Sequence, residues 1–236
     1  MIMTDGRNSQ EPLTIVLVHG AWADGSSWGP VIAPLQRQGL AVRAAPLPLT
    51  SLADDVAALD RVLERIDGPV VLAGHAYAGA VIASARGDRV RSLVFVAALA
   101  PDEGKTVMDV FQRAAPHPRA PQLAPDRHGA IWLPDEAFPT AFAQHAPAES
   151  AAVLAAVQRP IHLPCIGTPV GRPLWRDRPS WFLVAEEDRM IAAETQRFMA
   201  TRMGATLCTA PLDHTPMVSA PEVVVEILLE AVRASA

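Results

Sequence analysis

The sequence predicts an α/β fold, a mostly parallel sheet of about six strands flanked by helices, with a long insertion between two strands. Three observations carry this. Short apolar runs alternate with helical patterns, the signature of repeated βαβ units. The first run, Thr14 to Val18, is uninterrupted and β-branched, as a strand covered on both faces should be. The alternation breaks once, from about Pro101 to Pro179.

After the first strand, Ala41 to Ala45 reads as a second, Pro69 to Ala73 as a third and Ser92 to Ala97 as a fourth. Trp181 to Ala185 and Thr206 to Ala210 complete six. Between the second and third, Leu52, Val56, Leu59, Leu63 and Ile66 recur at the spacing of one buried helical face. Near the end, Ser219 with Glu222 three residues on gives a capping-box pattern before a helical run from Val223 to Val232. The stretch 101–179 is proline-rich, with scattered aromatics, no clear strand and one good helical pattern, Ala148 to Gln158. It is too long for a plain connection and reads as a helical lid. The division expected is therefore a core of 1–100 with 180–236, and a lid of 101–179.

Composition narrows the function classes. At 236 residues the chain suits one α/β domain, and half its residues are apolar. A net charge of −5 without any basic stripe argues against a nucleic-acid partner. Cys165 and Cys208 lie in different segments without metal-ligand spacing and read as buried small hydrophobes, in keeping with a reducing, cytoplasmic setting. Met1 to Pro12 lacks the pattern of a signal peptide, and no apolar run approaches the roughly 20 residues that span a bilayer. A soluble protein without a membrane partner is expected.

The most informative segment is Gly74-His75-Ala76-Tyr77-Ala78-Gly79, at a strand-to-helix junction. It has the shape of the nucleophile elbow Gly-x-Ser-x-Gly, in which a strained turn raises the central side chain above the sheet and small neighbours avoid collision. Here the central residue is Ala76, so the hydroxyl is missing while the elbow survives. His75 beside it reads as a packed structural histidine, and Ala78 as ordinary variation on the second glycine. His19-Gly20-Ala21-Trp22 ends the first strand, where a backbone N–H can join that of the residue after the nucleophile in an oxyanion hole; the donors would be Ala21 and Tyr77. Glu186-Glu187-Asp188 and Asp213-His214-Thr215 follow the last two strands, at the ends that face the ligand crevice of an open parallel sheet. Position 76, Asp188 and His214 stand in the order nucleophile, acid, histidine, with His214 as base and Asp188 as its orienting partner. Asp102, after the fourth strand, is a rival acid. The seven histidines show no metal-binding spacing, and neither metal nor cofactor is expected.

With these elements in order, the chain resembles the α/β-hydrolase superfamily over nearly its full length. It is most similar to the branch of plant methyl-salicylate esterases, plant hydroxynitrile lyases and bacterial pyrethroid-hydrolase-like esterases. Hydroxynitrile lyases carry a lysine after the catalytic histidine and a threonine after the first strand's histidine. This chain has Thr215 and Gly20 at those positions, which favours the esterases. The resemblance implies a serine hydrolase of a small ester-like molecule with a hydrophobic part. It also implies that Ala76 stands where a serine is expected, so that this chain is an inactive serine-to-alanine form. Two alternatives remain open: a ligand-binding protein without chemistry, and a hydrolase of lactone, amide or carbon–carbon bonds. Trp22, Trp132, Phe138, Phe142 and Met217 are the expected pocket residues.

Overall fold

The computed structural model describes residues 12–235, so that nearly all of the polar stretch at Met1 to Pro12 lies outside them. The chain runs β1 (Thr14–Val18), α1 (Gly29–Arg37), β2 (Ala41–Ala45), α2 (Leu52–Leu63), β3 (Val70–His75), α3 (Ala78–Ser84) and β4 (Val90–Val96). The inserted segment then carries α4 (Val107–Phe111), β5 (Ala130–Ile131), α5 (Ala148–Val157), β6 (Ile161–His162) and α6 (Leu163–Gly167). The chain re-enters the sheet as β7 (Ser180–Ala185), followed by α7 (Ala193–Met203), β8 (Thr206–Ala210), α8 (Pro216–Ser219) and α9 (Pro221–Ser235).

Six strands form one sheet in the order β2-β1-β3-β4-β7-β8, every neighbouring pair parallel. Alternate residues feed two cores, one on each face. Val16 and Val18 of β1 and Leu93 and Phe95 of β4 enter the core shared with α2, α3, α7 and the inserted segment. Ile15, Leu17, Val94 and Val96 enter the core beneath α1 and α9. This two-sided burial is why the central strands read as unbroken apolar runs. Phe95 and Phe182 stack across β4 and β7 with ring centroids 5.8 Å apart, filling the first core behind the site.

Several local expectations need correction. Ser219 does not cap α9. Its hydroxyl donates to Asp213 Oδ1 at 2.6 Å, and the helix starts instead at Pro221, whose fixed φ and missing N–H suit a first helical position. Ile66 lies beyond the end of α2, although it remains buried. The inserted segment does contain strand: β5 and β6 pair antiparallel, Ala130 with His162 and Ile131 with Ile161. Two residues per strand are too few to leave an alternating pattern. Cys208, on edge strand β8, is only half-buried, whereas Cys165 is buried as expected. Among the described residues, no helix is long and apolar enough to cross a membrane.

Candidate active site

The loops after β1, β3, β7 and β8 meet above one end of the sheet. β3 gives way to α3 through Ala76, whose φ of 49° is left-handed. Such a conformation costs an L-residue about 1–2 kcal/mol, so neighbouring bonds must hold it. They do: Ala76 N donates to Val96 O at 3.2 Å, and Ala76 O accepts from Leu99 N at 2.9 Å and Gly79 N at 3.0 Å. The small residues are sterically required. A Cβ on Gly79 would lie 2.5 Å from Leu99 O, and one on Gly74 would lie 2.8 Å from Ala78 O. Gly20 faces Ala76 itself, where an added Cβ would stand 2.9 Å from the alanine methyl. The alanine at position 78 fits because the crowding falls on Gly79.

The loop after β1 is set by His19. Its Nε2 accepts from Leu47 N at 3.0 Å, so Nδ1 carries the proton and donates to Gly20 O at 2.9 Å. Fixing that carbonyl fixes the whole Gly20–Ala21 peptide plane, and with it the Ala21 N–H. Neither the Ala21 nor the Tyr77 amide donates to an acceptor among the described residues. Burial lowers the His19 pKa, in keeping with this neutral form.

Asp188 and His214 pair closely: His214 Nδ1 lies 2.8 Å from Asp188 Oδ2, with both side chains almost wholly buried. Asp188 Oδ1 also accepts the Met190 and Ile191 amides at 2.7 and 2.9 Å. Gln196 of α7 donates to Asp188 Oδ2 at 2.8 Å, while its own oxygen accepts Ala185 N at 3.0 Å. Gln196 was not legible in the sequence; a glutamine on a helical face gives no signal until the loop it supports is known. Asp102, the rival acid, is instead engaged by Arg176 at 2.5 Å and by the Glu103 amide at 2.8 Å. The acidic neighbours of Asp188 also face outward: Glu186 pairs with Arg197, and Glu187 lies 3.1 Å from His145 Nε2.

Ala21, Trp22, Ala76, Tyr77 and His214 share one cavity of about 360 Å³. Its remaining walls are almost entirely apolar, and most come from the inserted segment, including Val107, Met108, Phe111, Leu123 and Ile166. Of the five expected pocket residues, only Trp22 lines it; its indole N–H donates to Ile131 O at 2.9 Å. The other four stand elsewhere. Trp132 is 49% exposed, because Ile131 before it takes the inward direction. Phe142 lies behind the site, its ring 5.2 Å from that of His214, and Phe138 packs on Phe142 at 5.2 Å. Met217 enters the core on the opposite face of the sheet.

Beneath the cavity floor sits a second buried carboxylate. Asp55 accepts Leu49 N and Tyr77 Oη, each at 2.7 Å, and lies 3.6 Å from Cys165 Sγ on α6. Burial raises the Asp55 pKa and pushes the Cys165 thiol up to about 12. Leu49, itself left-handed at φ 61°, is held between Asp55 and the His162 amide.

An all-parallel sheet carrying a left-handed strand-to-helix turn beside a buried carboxylate–imidazole pair defines a scaffold of the hydrolase class. The chain matches the model of the alpha/beta hydrolase family over residues 15–227, and it belongs to that family. No curated protein matches it by sequence. Among solved structures it is similar to polyneuridine aldehyde esterase, at 20% identity over 93% of this chain and 99% of the other, with a TM-score of 0.82. A pyrethroid hydrolase bearing a serine-to-alanine substitution is similar at 22% identity, over 94% and 98% of the two chains, with a TM-score of 0.81. Tomato methylketone synthase I complexed with 2-tridecanone is similar at 18% identity, over 95% and 99%, with a TM-score of 0.79. At such identities the likeness is one of fold.

Proposed function

We propose that the chain carries the site of a carboxylic-ester hydrolase of the serine type, with residue 76 at the nucleophile position. Ala76 stands where a serine acts, so this chain holds its ester without cleaving it. The observation that carries the reading is the His214–Asp188 pair at 2.8 Å, with His214 and Ala76 lining one cavity.

With serine at 76, His214 Nε2 takes the hydroxyl proton as Oγ attacks the ester carbonyl. The developing oxyanion is held by the Ala21 and Tyr77 amides, while Asp188 stabilises the imidazolium. His214 then returns the proton to the departing alcohol, leaving an acyl-enzyme. Water, deprotonated by the same histidine, releases the acid and restores the serine. The residues of 101–179 act as a lid that gives the substrate its apolar surroundings.

The test is Ala76→Ser assayed on short p-nitrophenyl esters. Turnover about a thousandfold or more above the Ala76 chain is expected, and lost when His214→Ala is added. Equal rates with and without His214→Ala would sink the reading. The codon at position 76 in the genome settles a separate point. Serine there makes this chain an altered form, whereas alanine makes it a natural ligand-binding protein that retains the hydrolase scaffold.

A further inference from the structure

His75 ends β3 next to the nucleophile position and looks, in sequence, like a histidine that merely fills the core. Its surroundings say otherwise. The ring is 1% exposed, and Nε2 lies 2.6 Å from the main-chain oxygen of His214. Only an N–H at Nε2 can bond there, so Nδ1 is left as a bare lone pair, without a partner among the described residues. A residue kept for volume alone would avoid an unpaired ring nitrogen, since phenylalanine or leucine fills the space without that cost.

Topology shows what the single bond achieves. β3 and β8 are separated by β4 and β7, so three inter-strand spacings, about 14 Å, lie between them. His214 follows β8, yet its ring stands 4.8 Å from that of His75 at the end of β3. The loop must therefore lean back over two strands. Asp188, after β7, orients the imidazole by its Nδ1. His75 grips the same residue by its carbonyl, at the far end of the reach.

We propose that His75 is a positioning residue of the site, and that its Nε2–H, through the His214 carbonyl, sets where the His214 imidazole stands above residue 76. It is absent from the cavity wall. Burial, together with neighbouring His214, lowers its pKa well below the usual histidine value. It stays neutral beside a ring that becomes an imidazolium during the reaction. His214 and His19 are the titratable groups that face it, with Asp188 beyond His214.

The inference rests on His214 acting as the base, and the experiment separates the two ideas. In the Ala76→Ser protein, His75→Phe fills the ring's space without a donor, and His75→Gln places an amide N–H near Nε2. The phenylalanine variant should lose about 10- to 100-fold in kcat with KM little changed, and glutamine should recover most of it. Equal kcat in both variants, each folded by circular dichroism, overturns the proposal. If His75→Phe does not fold, His75→Asn replaces it; its shorter amide falls short of the carbonyl and should show the same loss. The second readout needs no turnover. In crystal structures of the Ala76 chain, the His214 ring should be displaced from its place above residue 76 with His75→Phe and restored with His75→Gln. If Ala76→Ser alone proves inactive, the esterase reading fails and these ring positions decide the tether by themselves. A His214 ring that stays in place with His75→Phe overturns it.

Discussion

The two halves of the site are built by different physics. On the side of β7 and β8, Asp188, Gln196, His214 and Asp213 are buried, and each makes hydrogen bonds to neighbouring loops. On the side of the inserted segment, the cavity wall is aliphatic and aromatic, with Gln112 its polar exception. Charge and proton transfer demand fixed directions, which hydrogen bonds supply. Shape demands only volume, which apolar side chains fill. The halves are joined where they meet: Asp213 Oδ2 accepts the His145 amide at 2.9 Å, Gln144 donates to Glu187 O at 2.8 Å and Arg189 to Thr140 O at 2.7 Å. On the proposed function, the contrast would assign rate to one half and substrate choice to the other.

Gln196→Leu strikes the hydrogen-bonded half hardest. It strands the Ala185 amide and removes a donor from Asp188, so denaturation should show a loss of about 2–3 kcal/mol. In the Ala76→Ser protein it should also lower kcat about a hundredfold at nearly constant KM, and a variant that raised only KM would break the comparison. Gly79→Ala tests the backbone beneath the same half. Its Cβ would meet the Leu99 carbonyl, so a loss of about 1–3 kcal/mol is expected in the same measurement.

A smaller effect follows from proton linkage. His75 and His19 both have lowered folded pKa values, chiefly through burial, so the unfolded chain binds protons there first. Their contribution to stability is complete above the usual histidine value of 6.5 and is lost as pH falls below it. Asp55, raised by burial, works with the opposite sign above the usual carboxylate range. Thermal melts between pH 7.5 and about 5 should therefore show falling stability, less steeply in His75→Gln. The mildest change belongs to the apolar half. Met108→Ala should weaken binding of a hydrophobic ester by about 1 kcal/mol, whereas Trp132→Ala should leave it within about 0.5 kcal/mol. Calorimetry on the Ala76 chain measures both.

The core strands were legible because burial on two faces leaves unbroken apolar runs, and sequence alone located all six to within two residues. The turn at Ala76 and the nearness of Asp188 to His214 were open to a sequence reading because strand ends put chemistry-bearing residues at one edge of the sheet. What escaped was whatever depends on contacts distant in sequence. Ser219 looked like a cap until Asp213 took its hydroxyl. Phe142 and Met217 are large and apolar like pocket residues, and nothing local shows that one buttresses His214 while the other crosses to the opposite core. Gln196 and His75 act on residues 8 and 139 positions away, respectively, beyond any local pattern.

The left-handed turn at Ala76 has a last consequence. Glycine would relieve most of its strain, yet the chain keeps a side chain there and clamps its carbonyl twice. The backbone is a loaded mount: its bonds hold residue 76 left-handed whatever small side chain it carries. On the reading proposed above, this chain and one bearing a nucleophile differ there by a single oxygen atom.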